Sequence, residues 1–366
     1  MKISIVRSNF IEGLKAVQNI VPGKGSLAVL QNVLIEAEEG VIKLTTTDLD
    51  ISISTTLKCE VKEAGKTTLP VKLLFNMVLR AAEGQVELES DQNDRATIIA
   101  ASARFKLAGL PSSDFPQLPP ANESTAYKLP QATLREMLRK TSYAASQDDT
   151  RRTLKGVLMS FKDGKLTMVA TDGRRLALVE NEMEFPPDAA KDIVLPSKAV
   201  QELQRSLQND GEVEIMAQQS QISFNLGTVK IYSKLMDDVY PNYAQVIPRD
   251  FSEQQKIAID RQQLLDALER ASVMKMDEAH STKLIFDENK LLVRSAASDM
   301  GEASDEVAIK YGGERIEIMF NPTYVMDPLK AIDDDVVTMN LRNGTSAAVI
   351  TCSIPFIYVL MPLRQG

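Results

Sequence analysis

Three prolines constrain the architecture of this 366-residue chain more than any other feature. Pro70, Pro196 and Pro322 lie in TTLPVKLLFNMVLRAA, IVLPSKAVQELQRSL and IMFNPTYVMDPLKAI, and both 196 − 70 and 322 − 196 equal 126. Proline is favoured at the start of a helix, where its missing N–H would have no partner. Each of these prolines therefore marks a point where a strand enters a helix. Other landmarks keep step: Gly40 and Gly164, Asp48 and Asp172, and Leu14 and Leu138 are each 124 residues apart. The period is far longer than a solenoid repeat and is the length of an ordinary domain. The chain reads as three tandem copies of one domain.

The clearest copy contains VLMSFKDGKLTMVATDGRRLALV, residues 157–179. Val157, Met159 and Phe161 alternate with Leu158, Ser160 and Lys162, and alternation resumes after Asp163-Gly164. This is a hairpin with period-two burial and a turn that tolerates positive φ. A second Asp-Gly, Asp172-Gly173, leads through Arg174-Arg175 into a third strand. Weaker versions stand at 33–53 and 283–299, where Asp299 lies 127 residues beyond Asp172. An amphipathic helix precedes each: Phe10, Leu14, Val17 and Val21, with Ser8 or Asn9 as its cap; Leu134, Met137, Leu138 and Thr141; and Leu264, Ala267, Leu268 and Ala271. Each copy is thus strand, helix, strands, helix and strands. The expected fold is α+β, with two helices packed on antiparallel sheet per domain. The domains are placed at 1–120, 127–247 and 254–366, with linkers near 118–126 and 248–255.

No run approaches the ~20 apolar residues of a membrane span, and Met1-Lys2-Ile3-Ser4-Ile5 opens as a strand without a signal-peptide core, so a cytoplasmic protein is expected. Cys59 and Cys352 stand apart in strand-like surroundings and read as buried thiols. A net charge of −8 argues against a nucleic-acid partner if it is evenly spread. It is not: the predicted helix windows 9–21, 71–82, 132–144, 197–208, 261–276 and 322–331 hold twelve Lys and Arg against six Asp and Glu. Helix propensity gives no such bias, because Glu is as good a helix former as Lys. Basic helices without an aromatic platform suit sequence-independent contact with a phosphate backbone.

No catalytic constellation is visible. The one histidine, His280, lies in a charged loop and reads as solvated. There is no P-loop, nucleotide-binding glycine motif, HExxH or nucleophile elbow. Asp48 reads as a turn residue and Asp333-Asp334-Asp335 as a solvated helix end, so neither metal nor cofactor is expected.

The motifs VATDGRRLA at 169–177, SKLMDDVYPNY at 233–243 and YVLMPLR at 358–364, set in three copies, resemble the bacterial sliding-clamp family, the β subunits of DNA polymerase III. The resemblance implies a ring of two head-to-tail chains whose helices line a hole around duplex DNA. It also implies no catalysis of its own, and a hydrophobic pocket for short peptides of the polymerase III α subunit, the clamp loader, other DNA polymerases and repair proteins. Carried over by motif, the pocket comprises Leu154, Thr171, Gly173, Arg174, Arg175, Leu176, Pro241, Val246, Thr345, Val359, Leu360, Met361, Pro362, Leu363 and Arg364. DNA-facing residues would be Lys24, Lys72, Arg151, Arg152 and Lys198. The ring joint would set Phe105 and Leu107 against Val273 and Met274, with Glu302, Asp305 and Glu306 supplying charge. The chain departs from the family pattern at Arg174, where histidine or tyrosine is common, at Ala244-Gln245, where a basic pair is common, and at Arg152-Thr153, where aromatics are common. Two other readings stay open from the residues alone: an acidic scaffold that binds peptides but not DNA, and an unrecognised hydrolase.

Overall fold

The computed structural model describes residues 1–23, 27–117, 126–186, 189–236, 238–274, 281–297 and 301–363. Lys24, His280, Asp299 and Arg364 lie outside this set, as does the side chain of Met274.

The first copy runs β1 (Lys2–Val6), α1 (Arg7–Val17), β2 (Asn32–Glu38), β3 (Val41–Thr47), β4 (Ile51–Lys58), β5 (Glu60–Glu63), β6 (Gly65–Pro70), α2 (Val71–Arg80), β7 (Gln85–Ser90), β8 (Arg95–Ala100) and β9 (Ala103–Ala108). The second runs β10 (Ala126–Pro130), α3 (Gln131–Thr141), β11 (Gly156–Lys162), β12 (Lys165–Thr171), β13 (Arg175–Glu182), β14 (Lys191–Pro196), α4 (Ser197–Ser206), β15 (Glu212–Ala217), β16 (Gln221–Asn225) and β17 (Val229–Lys234). The third runs β18 (Lys256–Asp260), α5 (Arg261–Ala271), β19 (Thr282–Asp287), β20 (Lys290–Ala297), β21 (Gly301–Ala308), β22 (Ile316–Phe320), α6 (Pro322–Ala331), β23 (Val336–Asn340), β24 (Ala348–Thr351) and β25 (Phe356–Leu360).

The strands form four sheets, and the strand pairs within them are antiparallel. Two sheets are confined to one copy: β5-β1-β7-β8-β9 in the first and β21-β20-β19-β22 in the third. The other two run across copy boundaries, as β10-β15-β16-β17-β4-β3-β2-β6 and β14-β11-β12-β13-β25-β24-β23-β18. Pairing of β17 with β4 and of β25 with β13 makes these joins. The chain accordingly forms two compact units that both draw on the second copy: Met1–Arg135 with Lys198–Leu235, and Glu136–Ser197 with Met236–Gly366.

Helix starts follow from local chemistry. Asp260 accepts the Gln263 N–H at 2.8 Å to cap α5, and Asn321 accepts the Thr323 N–H at 3.0 Å to cap α6. In α1 neither Ser8 nor Asn9 caps: the helix begins at Arg7, and Val6 occupies the cap position with no side-chain bond. Of the three phased prolines, only Pro322 lies inside its helix. Pro70 and Pro196 end β6 and β14, each at the margin of its sheet, where a residue without an N–H leaves no ladder bond unmade.

The hairpin of the second copy forms as expected, with Lys162 opposite Lys165 and positive φ at Asp163 (52°) and Gly164 (70°). Its burial differs. β11 is buried at Leu158 and Ser160 as well as at Val157, Met159 and Phe161, because both sheet faces are covered. Leu158, Val169, Leu176, Leu178, Val194, Val349 and Val359 form a second apolar layer under Met236, Tyr240, Tyr243, Ile247 and Phe251. Each fully buried side chain of this kind contributes about 1.5–3 kcal/mol. That covering segment positions the functional site.

Candidate functional site

A cleft of about 310 Å³ opens in the second unit, lined by Leu154, Thr171, Gly173, Arg174, Arg175, Leu176, Pro241, Asn242, Tyr243, Val246, Val359 and Met361. Its floor is Leu176 on β13 opposite Val359 on β25, both buried. Val246 and Met361, about half exposed, stand at its rim.

One wall is the turn from β12 to β13. Asp172 Oδ1 accepts the N–H groups of Arg174 at 2.8 Å and Arg175 at 3.0 Å. Thr171 Oγ1 donates to the Arg175 carbonyl at 2.6 Å and accepts the Gly173 N–H at 3.0 Å. Gly173 has φ +84°, and a Cβ there would meet Arg151 Nη1 at 2.9 Å. That nitrogen donates to the Asp172 carbonyl at 2.8 Å. Gly173→Ala is therefore expected to destabilise the chain by about 1–2 kcal/mol through left-handed strain and a displaced arginine, measurable by urea unfolding.

Arg175 ties this turn to the body of the unit. Its side chain is 9% exposed and ion-pairs with Asp172 at 3.1 Å and with Asp327 of α6. It also donates to the Tyr143 carbonyl at 2.6 Å and stacks over the Tyr324 ring at 4.2 Å. Burial pushes the phenols of Tyr143 and Tyr358 well above their ordinary range, so both stay neutral, and Tyr358 donates to the Tyr324 carbonyl at 2.8 Å. The result is an apolar slot with a basic rim, and among the described residues no acid-base pair is aimed into it.

Of the fifteen residues expected here, ten line the cleft. Leu360 does not: strand alternation turns it into the core, fully buried, while Val359 and Met361 face the opening. Thr345 is held in the Asn343 loop, where its N–H and hydroxyl bond Asn343 Oδ1. Pro362 and Leu363 run on past the opening, with the Leu363 N–H on the Met319 carbonyl at 2.8 Å. Asn242 and Tyr243, which line the cleft, were not expected. They adjoin Pro241 in YPNY, so the motif itself carried the signal.

The expected DNA-facing cations fare unequally. Lys72 on α2 and Arg152 are exposed, and no ion pair of either occurs among the described residues. Lys198 is ion-paired with Asp48, and Arg151 serves the Asp172 turn. The helix cations divide in the same way. Arg139 and Lys140 pair with Glu136, Arg205 with Glu202, Arg270 with Asp305 and Lys330 with Glu269. Lys15, Lys72 and Arg80, all in the first copy, are exposed without such partners among the described residues. Asp333 pairs with Arg139 and Asp334 accepts the Ser353 N–H, and no cluster suited to a metal ion occurs among the described residues.

Five of the residues expected at a ring joint lie on two sheet margins. Phe105 and Leu107 belong to β9, and Glu302, Asp305 and Glu306 to β21. Val273 is 80% exposed. Asp305 is held within its own chain by Arg270 at 2.5 Å, which keeps its carboxyl below the usual range. No described helix is long and apolar enough to cross a membrane.

Comparison with known proteins gives a consistent result. Three family models match in succession: DNA polymerase III beta subunit N-terminal domain at residues 1–119, central domain at 128–242 and C-terminal domain at 244–364. The chain is 31% identical to the beta sliding clamp of Chlamydia muridarum and 33% identical to that of Synechococcus elongatus, covering 100% of this chain and 99% of each relative. Among solved structures it matches the sliding clamp of Bartonella birtlesii bound to griselimycin, with TM-score 0.95 and 33% identity over the whole of both chains. It also matches the clamp of Pseudomonas aeruginosa, with TM-score 0.94 and 30% identity over the whole of both chains.

Proposed function

The chain belongs to the DNA polymerase III beta subunit family, the beta sliding clamps, and from that premise we propose that it encircles duplex DNA and holds DNA polymerases on it, conferring processivity. The observation that carries this reading is the apolar cleft beside Gly173, a binding slot without catalytic groups in a chain that matches the family from end to end. Polymerase III α subunit, clamp loader, other polymerases and repair proteins would each insert a short apolar peptide there. The three domains are assigned to 1–120, 127–247 and 254–366. Two chains would close head to tail, β9 of one beside β21 of the other, which is an allowed closed heterologous assembly.

In this reading DNA is retained by enclosure. Scattered cations, Lys72 and Arg152 foremost, give weak phosphate contacts that permit sliding, where tight base contacts would stop it. The protein carries out no chemistry of its own and works in the cytoplasm, where the chromosome is copied.

The test is topological. Protein loaded onto nicked circular DNA by a clamp loader should stay through gel filtration and leave within minutes once a restriction cut creates free ends. Retention on the linear product would show binding by affinity and overturn enclosure. Equal retention after Lys72→Glu would fit enclosure, and the same change should slow loading several-fold at low salt.

A further inference from the structure

The two units contain the same turn built twice, and the comparison singles out one side chain. In the first unit Asp48 Oδ1 accepts the N–H groups of Asp50 at 3.0 Å and Ile51 at 2.8 Å, and Thr47 Oγ1 donates to the Ile51 carbonyl at 3.0 Å. These are the bonds of Asp172 and Thr171 in the second unit, so Asp50 stands where Arg174 stands. The neighbouring strand agrees: the Lys234 N–H bonds the Asp50 carbonyl at 2.8 Å, and the Met361 N–H bonds the Arg174 carbonyl at 2.9 Å. Lys234 and Met361 are equivalent positions.

In the first unit this pair of positions is closed electrostatically, with Lys234 Nζ 3.0 Å from Asp50 Oδ1. In the second the charge at the turn is reversed and its counter-ion is replaced by Met361. Arg174 is exposed at the cleft, and its guanidinium has no hydrogen bond or ion pair among the described residues. The acid of the same turn, Asp172, is already engaged: one oxygen takes two backbone N–H groups and the other takes Arg175. Among the described residues no acid lines the cleft. The backbone of Arg174 is pinned on both sides, by Asp172 and by Met361, so its side chain is presented to whatever occupies the slot.

We propose that Arg174 is a specificity-determining residue that selects peptides carrying a carboxylate beside the apolar residues seated on Leu176 and Val359. The incoming peptide supplies the counter-ion that the first unit holds internally as Lys234, with sign exchanged. The inference rests on the cleft being a peptide site. The carboxylate can come from an Asp or Glu side chain or from the peptide's own C-terminus. A guanidinium accepts either in a two-pronged bond.

The test uses the full chain and three fluorescent peptides with the same apolar residues: one amidated at the C-terminus with Asp beside the anchor, one amidated with Asn there, and one with Asn and a free terminal carboxylate. At low ionic strength the Asp peptide, the free-carboxylate peptide, or both should bind about three- to fivefold more tightly than the amidated Asn peptide. Which of them gains identifies the source of the acid. The preference should disappear in Arg174→Gln and reverse in Arg174→Glu. An unchanged preference in Arg174→Gln, or no preference in wild type, overturns the proposal. Failure of all three peptides to bind wild type would instead overturn the reading of the cleft as a peptide site.

Discussion

Arg175→Ala is expected to abolish measurable peptide binding and to destabilise the second unit by about 3 kcal/mol, the loss seen when one member of a buried ion pair is removed. The magnitude follows from what the guanidinium leaves behind. Asp172 and Asp327, with side chains 14% and 26% exposed, would face each other across the vacated space without their shared cation. The Tyr143 carbonyl would lose its donor and Tyr324 a stacked cation, an interaction of about 1–2 kcal/mol when desolvated. The cleft suffers further because Asp172, freed from Arg175, no longer fixes the turn that presents Gly173 and Arg174. Arg175→Lys should recover part of the stability but little of the binding, since an ammonium is a point charge and cannot span Asp172, Asp327 and the Tyr143 carbonyl together. Thermal unfolding with fluorescence anisotropy checks both; an Arg175→Ala protein that melts and binds like wild type would remove Arg175 from the site.

What could be read from residues alone divides along a physical line. The repeat, the hairpins and the helices are local: they depend on spacing, Asp-Gly turns and apolar periodicity, and they stand where the pattern put them. The cleft was legible as far as the motifs ran, because Gly173 to Leu176 and Val359 to Met361 are neighbours in sequence. The errors concern which way a side chain faces. Leu360 was grouped with its neighbours, although strand alternation buries it. The strict alternation expected of β11 gave way to burial on both faces, because Met236, Tyr240, Tyr243, Ile247 and Phe251 pack over its second face. Partnerships between distant residues were invisible: Lys198 with Asp48, and Arg175 with Asp327. Such pairs depend on tertiary placement, and they reduce the phosphate-facing charge that a count of helix cations implies.

The internal joins also specify how two chains should meet. In the first two copies the sixth residue after the first hairpin turn's closing pair, Thr47 or Thr171, faces Ser52 or Leu176 on the third strand. Those residues in turn face Tyr232 and Val359 on the last strand of the following copy. In the third copy the same count leads to Ala296 and its partner Glu302. On the last strands, pairings traced outward from the first strand make Tyr232 and Val359 equivalent to each other, through Phe224 facing Ile231 and Ile350 facing Tyr358. In the first copy the equivalent pair is Ile98 facing Phe105, which puts Lys106 next in line. A third join made between chains would therefore set Glu302 directly opposite Lys106 of the second chain, on one sheet face with Cβ atoms about 5 Å apart. The register that two internal joins share thus produces an opposite-charge pair at the one join the chain cannot make with itself. Asp305 is engaged by Arg270, so Glu302 is the acid available at that point. Reversing Glu302 to Lys places like charges at both joints of a two-chain ring and should weaken the dimer about a hundredfold, roughly tenfold per joint. Lys106→Glu should do the same, and the double variant Lys106→Glu/Glu302→Lys should restore assembly to near its original strength. Sedimentation across a dilution series reads this directly: a double variant as dissociated as either single one would show that the chains do not join in this register.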